Sequence, residues 1–448
     1  MSILLRFAAG LLVLIPLTRH ARGLVYQGDT WILLGQSNGI INAVAQGRWN
    51  NWGGPLPLLQ SIPVFIMKGL GWADDRRVLH GLGVLSLVSF ALLLLWSWRS
   101  LFEKSTRLAW FFVAVLISGP LLKYSNSTFG EMLAAAVTLG FVVACRDRAP
   151  GWKIFIFFIL AALSKDTAVP FLLLLGLACA GEFSSDAGQR RFLFRRWRLL
   201  LAAAACGATV VLLFNYLKFG SIFNKAYLDD ISVVHSLRIQ LNFFFAIWFA
   251  PNGGVMFFWP SCFLLLVLSG LAQFAPGKTW RDAIPFLLIM TVLAGLTAGF
   301  SKWYAPLGWV CWGPRLILPW LPAVGYALVT AYPVEIEKKI RAVLGSGRRF
   351  QLTCAAFIFL AFPHFAVLFQ PEIMNRFFFE PDKAFPRMAY VWDDPIYYYN
   401  ATRQALWVRR PMLWDAFREL PNAWTLTFSL GAAVILVGLL RRSKERYS

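Results

Sequence analysis

Charge is scarce in this sequence. Asp, Glu, Lys and Arg make up 15% of its 448 residues, where a soluble domain carries about a quarter. Histidine is rarer still, with only His20, His80, His235 and His364. There is no GxxxxGK[ST] phosphate loop, no GxGxxG following a strand and no HExxH. These absences argue against ATP-driven pumping and leave a Ser-His-Asp hydrolase unsupported. The six cysteines, Cys145, Cys179, Cys206, Cys262, Cys311 and Cys354, stand alone and mostly within apolar runs. Neither a disulfide framework nor a CxxC metal site is indicated. Internal repeats, low-complexity linkers and a separable soluble domain are missing too.

What is present is hydrocarbon. Hydrophobic residues make up 58% of the chain, and mean hydropathy is +0.60. They come in long runs such as LLLLGLACAG and AAVILVGLL, the pattern of membrane-spanning helices. The expected class is an all-α polytopic membrane protein of about 11–12 transmembrane helices. The formal charge of +21 would suggest nucleic acid in a soluble protein. Here the basic residues cluster between apolar runs, where they set topology and meet anionic lipid, and no nucleic-acid module accompanies them.

The start, MSILLRFAAGLLVLIPLTRHARG, has a basic residue and an apolar core but no clear small-x-small cleavage site, so a retained first helix is expected. Spans are expected at about 2–18, 78–98, 108–123, 128–145, 154–164, 167–181, 199–217, 254–272, 283–299, 314–331, 351–369 and 423–440. With the N-terminus inside, RSLFEKSTR, RDRAPGWK, RRFLFRRWR, PGKTWR, EKKIR with GRR, and RRSKER fall in the cytoplasm. They hold about half of the 43 Lys and Arg residues, as the positive-inside rule requires. The segment 154–164 is too short to span alone at 1.5 Å per residue. Merging it with 167–181 would put RRFLFRRWR outside. Two half-length elements hinged at SKDT fit better, and irregular backbone at depth implies burial in protein or a wet cavity.

Four pieces remain for the outer side: about 19–77, 218–253, 300–313 and 370–422. In the first, Leu33, Ile40, Ile41 and Val44 follow helical spacing, diluted by Gln36, Ser37, Asn38, Asn42 and Gln46. That describes an amphipathic juxtamembrane helix lying on the outer surface or roofing a cavity. The twenty tryptophans suit an interfacial belt, and some could line a carbohydrate site.

Polar groups at the outer helix ends are the candidates for chemistry. Asp29 leads, and it could equally be the N-cap of the surface helix. Lys165 and Asp166 follow, which could pair with each other or cap the hinge. FGSIFNKAYLDDISVVH offers Tyr227, Asp229, Asp230 and His235, although its two acids could be ordinary loop carboxylates. FSKWYAPLGWVCWGPR offers Lys302, Trp303, Trp312 and Arg315, and snorkelling at a span entry would also place an arginine there. Glu131, in NSTFGEML just inside the fourth span, is a further polar outlier. Charged groups at such depth are costly and face a cavity or each other.

The order of these pieces resembles the GT-C class of membrane glycosyltransferases, the superfamily of protein mannosyltransferases and the aminoarabinose transferase of lipid A. The resemblance rests on a first span, an outer loop with an early acid, a surface helix ending in a Trp-rich turn, and then GGPLPLLQSIPVFIMKGLG. LAALSKDTAVPFLLLLG is similar to that superfamily's Gly-Leu-x-x-x-Thr-Lys segment. NYLKFGSIFNKAY with FAPNGGVMFFWP, and WVCWGPRLILPWLP, are similar to motifs of bacterial members. Together these touch most of residues 1–325, which would form the catalytic transmembrane module including the outer loop 19–77. Residues 326–448 would form a C-terminal transmembrane region with the outer loop 370–422.

The resemblance implies an inverting glycosyltransferase in the plasma (bacterial inner) membrane. It would take a sugar from a polyprenyl-phosphate donor and pass it to an envelope glycan, lipid or protein on the outer face. Asp29 would be the general base. Arg315, Lys165 and Lys302 would bind the donor phosphate, and Tyr227, Asp229, Asp230, His235, Trp303 and Trp312 would contact substrate. Many relatives carry two adjacent acids in the first loop, whereas Asp29 is flanked by Gly28 and Thr30. No metal ligands are assigned, and a divalent metal remains possible. The competing expectations are an envelope glycan ligase or polymerase, and a transporter or flippase of a lipid-linked substrate.

Overall fold

The computed structural model describes residues 35, 38–39, 46–47, 58–72, 74–125, 127–128, 130–165, 168–180, 187–223, 233–273, 280–303, 306–308, 313–345, 347–361, 363–364, 367, 406–407 and 413. They form 15 helices: α1 Leu58–Gly69, α2 Asp75–Phe102, α3 Thr106–Ile117, α4 Leu121–Tyr124, α5 Glu131–Arg146, α6 Gly151–Ala162, α7 Ala168–Ala180, α8 Ala187–Phe219, α9 Leu237–Phe249, α10 Val255–Phe258, α11 Pro260–Gln273, α12 Trp280–Ser301, α13 Leu321–Ala331, α14 Pro333–Leu344 and α15 Arg348–Leu360. Among the described residues there is no strand, only one antiparallel backbone pairing between Val233 and Trp303. The chain is an all-α polytopic membrane protein. Asp75–Phe102, Arg196–Phe219 and Asp282–Ser301 are each long and apolar enough to cross a bilayer.

The core gathers around α5 and α13. In α13 every residue from Leu321 to Thr330 is buried, and α5 packs against α2, α6, α7 and α13. Its buried residues include the small Ala134, Ala135, Ala136, Gly140 and Ala144, beside larger ones such as Met132, Leu139 and Phe141. Lipid tails are as apolar as leucine, so helix association in a membrane depends on close van der Waals approach, and small residues permit it. Gly140 illustrates this: a Cβ there would lie 2.6 Å from the Phe157 ring and 2.9 Å from Trp96. Those two rings meet edge to face at 5.4 Å.

Several helices depart from the sequence expectations. The basic run RRFLFRRWR is not a loop but the first part of α8, continuous with the apolar stretch expected at 199–217. Leu237–Phe249, expected within an outer loop, is an apolar helix, and its Trp248 Nε1 donates to Thr297 Oγ1 on α12 at 3.2 Å. EKKIR belongs to α14, whose Ile336, Ile340 and Leu344 point inward at helical spacing. The expected spans 108–123 and 314–331 are shorter as helices, because turns occupy 118–120 and 315–320. The expected hinge is present, with α6 and α7 separate and SKDT between them. The spans 2–18 and 423–440 lie outside the described residues.

One end of the bundle is basic. Asp147 there accepts from Ser100 Oγ at 2.6 Å and faces Lys104 Nζ at 3.7 Å. Burial lowers the Lys104 pKa, while the Asp147 carboxylate opposes that shift. Arg146 donates to the carbonyls of Cys179 and Thr330, and Arg196 to that of Cys145 at 2.7 Å. Arg107 pairs with Glu337 at 2.9 Å. These bonds tie the ends of α2, α3, α5, α7, α8, α13 and α14 into a common layer.

Candidate functional site

At the opposite end, three connections converge: α3 to α5, α6 to α7, and α12 to α13. Each brings one or more charged side chains to a buried or half-buried position. Glu131 opens α5 and is 1% exposed. An acid in the first turn is stabilised by the positive end of the helix dipole, but that effect alone does not make burial affordable.

The compensation comes from cations. Arg315 Nε donates to Glu131 Oε1 at 2.8 Å. Lys165 Nζ lies 3.8 Å from the same oxygen. Lys123 is 3% exposed and within electrostatic reach of both Arg315 and Glu131. Its Nζ sits 5.7 Å from the centre of the Tyr124 ring. Three cations therefore surround one carboxylate, and Glu131 Oε2 has no hydrogen-bond partner. Among the described residues these four side chains sum to two positive charges, a composition that suits an anion site.

Local sequence positions each of the four. Arg315 follows Gly313, whose φ of +73° lies in the left-handed region that glycine adopts without steric cost. The Arg315 amide bonds back to the Gly313 carbonyl at 2.9 Å, closing the turn. Lys165 follows the C-terminus of α6, where Ser164 Oγ folds back onto the Ala161 carbonyl at 2.6 Å. The Lys165 carbonyl in turn accepts from Ala168 N at 2.9 Å, starting α7. Lys123 lies in α4, past a turn at Gly119 that presses against Trp259; the Trp259 indole donates to the Val115 carbonyl at 2.7 Å. The α1 helix touches the same region, since Leu59 N donates to the Leu163 carbonyl at 3.1 Å.

Sequence reasoning selected Arg315, Lys165 and Glu131, and the structure brings these three together. It did not select Lys123, which it read as the end of a span. It also passed over His364, which is buried and bonds the Phe258 carbonyl through Nε2 at 2.8 Å. The Phe258 ring is the surface on which Gly313 rests, so His364 supports the arginine turn from behind.

Lys302, Trp303 and His235 form a different grouping. Val234 N donates to the Lys302 carbonyl at 2.7 Å, so the segment with His235 lies beside the one with Lys302 and Trp303. Lys302 and His235 are exposed, and Trp303 is half-buried. Asp29, Asp166, Tyr227, Asp229, Asp230 and Trp312 lie outside the described residues. Among the described residues no group of three His, Cys, Asp or Glu side chains converges as a metal site would require.

No family model matches the sequence, and no curated protein is found similar to it. Two solved structures of ArnT from Cupriavidus metallidurans align with it. The apo form matches at 17% identity with a TM-score of 0.44, covering 98% of this chain and 76% of that one. The form bound to undecaprenyl phosphate matches at 16% identity with a TM-score of 0.48, covering 98% and 77%. Likeness at this level carries no information about substrate.

Proposed function

We propose that this protein is an inverting membrane glycosyltransferase that takes its sugar from a polyprenyl-phosphate donor. The acceptor would be an envelope glycan, lipid or protein. The observation that carries this reading is the group of buried Lys123 and Arg315 and half-buried Lys165 around buried Glu131. A phosphate on a lipid is an anion that reaches such depth without leaving the membrane, and a cation cluster at a helix break is a place to receive it. The motif order resembling GT-C enzymes agrees with that reading.

Topology supports an outer-face site. Lys104, Arg107, Arg146 and Arg196 gather at the far end of the bundle, and the positive-inside rule assigns that end to the cytoplasm. The Glu131 cluster then faces outward. Nucleotide-activated sugars are absent there, so a lipid-borne donor is the activated form at hand.

In the proposed reaction Asp29 takes the proton of an acceptor hydroxyl as that oxygen attacks the anomeric carbon. The bond between that carbon and the phosphate oxygen breaks, and its electron pair stays with the lipid phosphate. Arg315 and Lys165 stabilise the departing group. Lys302, in the connection that also carries Arg315, contributes positive charge near the entrance. Tyr227, Asp229, Asp230, His235, Trp303 and Trp312 would contact the sugars, and Asp166 would hold Lys165 in place. The surface helix in the first outer loop would exclude water and so limit donor hydrolysis. Single displacement inverts the anomeric configuration.

The test is transfer in vitro from synthetic polyprenyl-phosphate sugars, with wild type and Asp29→Asn compared at matched amounts. The expected loss is about a hundredfold or more. Retention of most activity by Asp29→Asn would remove the base assignment, and undiminished transfer by Arg315→Ala would remove the phosphate role. The break between α6 and α7 beside buried charge also suits a carrier of lipid phosphates. Counterflow in proteoliposomes without chemical change would favour that second reading.

A further inference from the structure

The segment that follows Asp29 has an anchor of its own. Of the stretch expected to form a helix on the membrane surface, the described Gly35, Asn38 and Gly39 are helical. Lys68, in the last turn of α1, donates through Nζ to Asn38 Oδ1 at 2.5 Å and pairs with Asp75 Oδ1 at 3.0 Å. Asp75 lies in the first turn of α2. Each charge therefore also suits the dipole of its own helix. Lys68 is 17% exposed and Asp75 45%. An ion pair open to water on one side contributes little by itself. What it does is fix the direction of the ammonium, so that another of its protons meets the Asn38 side-chain carbonyl.

The body that holds Lys68 is well braced. The chain turns from α1 into α2 through Gly71, whose φ of +85° is left-handed and free of steric cost only for glycine. Gly71 N and Trp72 N donate back to the Lys68 and Met67 carbonyls at 3.0 and 3.1 Å. Val64 of α1 and Val78, Leu79 and Leu82 of α2 form a small core, with Met67 packed against it. The other end of α1 reaches the hinge, where Leu59 N donates to the Leu163 carbonyl at 3.1 Å, two residues before Lys165. The helix has 12 residues, so it is roughly 18 Å long at 1.5 Å per residue. It is a strut, with the hinge that presents Lys165 at one end and Asn38 at the other.

We infer that Lys68 is a positioning residue: through Asn38 it fixes the segment of Asp29 against α1, and α1 sets that segment in register with the hinge of Lys165. The inference rests on the preceding functional reading, which makes Asp29 the base and Lys165 a phosphate ligand and gives α1 and Lys68 no part. Asn38 lies nine residues after Asp29. In the proposed displacement the acceptor oxygen arrives on one side of the anomeric carbon while the phosphate departs on the other. Base and cation must therefore be held at a fixed separation, and a misplacement of about 1 Å costs about a hundredfold in rate. Lys68 acts through Asn38 and not on the reacting atoms. Its loss lowers turnover and leaves donor binding, the task of Arg315 and Lys165, unchanged.

Hydrogen exchange with residue-level fragmentation, on the purified full-length protein in nanodiscs, reads the anchor at the amides of Gly35, Asn38 and Gly39. Lys68→Met keeps the side-chain stem and removes both bonds, and Asn38→Ala removes the acceptor. Each should speed exchange at those amides about tenfold, the worth of one hydrogen bond to a charged group, with α5 and α13 unaffected. The double variant should exchange no faster than either single one, because both remove the same contact. Lys68→Arg keeps a charged donor and should stay within about threefold of wild type. With a synthetic polyprenyl-phosphate sugar, both single variants should lose about tenfold in kcat with donor KM within about twofold of wild type, and Lys68→Arg should restore kcat. Asn38→Ala carries the test alone if Lys68→Met does not fold. Unchanged exchange in the single variants, or a double variant markedly faster than either, overturns the anchor. Faster exchange with kcat unchanged, or with donor KM raised and kcat kept, overturns the positioning role. If exchange behaves as expected but the wild type transfers no sugar, the anchor stands, while the functional reading falls and the role in turnover with it.

Discussion

Glu131→Gln removes the carboxylate that the described residues place among buried Lys123 and Arg315 and half-buried Lys165, while changing the side-chain shape little. At an effective dielectric of about 20, opposite unit charges 2.8 Å apart attract by about 6 kcal/mol, and those 3.8 Å apart by about 4 kcal/mol. Both distances are measured to the Glu131 carboxylate, from Arg315 and from Lys165. Most of this attraction offsets the desolvation of the ions, so it is not a net gain. Removing one partner leaves the cations buried with the desolvation cost uncovered, a loss of about 3–5 kcal/mol. The change is read by thermal unfolding with a thiol-reactive fluorogenic dye, since Cys145, Cys179, Cys262 and Cys354 are buried and free in the folded protein. Glu131→Gln should lower Tm by several degrees. Adding Arg315→Met to it restores the original sum of two positive charges over these four side chains and should recover part of the loss. A Glu131→Gln protein as stable as wild type would refute the reasoning. So would a double variant less stable than Glu131→Gln alone.

Other outcomes follow from the same packing. Gly140→Val places side-chain atoms where Phe157 and Trp96 already lie; it should cost about 1–3 kcal/mol, seen as a lower Tm by the same dye. Gly313→Ala forces an L-residue to φ +73° and sets its Cβ 3.0 Å from Phe258. The strain is about 1–2 kcal/mol, and because it acts on the turn carrying Arg315, lipid-phosphate binding should weaken together with Tm. Breaking the Arg107–Glu337 pair, each partner about a quarter exposed, should cost no more than about 1 kcal/mol in a double-mutant cycle.

The parts of the fold that could be read in the sequence were those where length and apolarity coincide. The helices α2, α5 and α12 are long apolar runs flanked by charge, and the SKDT break declares itself by interrupting two runs that are each too short to span. The α9 helix escaped because Arg238, Gln240 and Asn242 dilute its first turns, so only its second half reads as apolar. The α14 helix escaped because EKKIR looks like a basic loop, while Ile336, Ile340 and Leu344 show their inward face only once the helical period is imposed. Its packing partner, α11, is remote in sequence, which hydropathy does not reveal.

The site was partly visible in the same way. Arg315, Lys165 and Glu131 stood out as charges among hydrocarbon, but which carboxylate met which cation depends on three connections 34 to 184 residues apart in their contacts. Lys123 had a signal that hydropathy obscures. PLLKYSN lies at the end of the bundle opposite the layer of Lys104, Arg107, Arg146 and Arg196, so a lone lysine there is informative. Read as the last residue of a span, it passes for a snorkelling side chain. Its burial comes from the turn at Gly119 against Trp259, a contact made across 140 residues of chain.

The central claim is that a lipid phosphate occupies the cluster around Glu131. A cryo-electron-microscopy structure of the protein in nanodiscs supplied with a polyprenyl phosphate tests it most directly. The account predicts phosphate density within hydrogen-bonding distance of Arg315 and Lys165, beside Lys123, with Asp29 facing the same cavity. Phosphate density at the basic end near Arg107 and Lys104 with the Glu131 cluster empty, or Asp29 on the far side of the molecule, would contradict it.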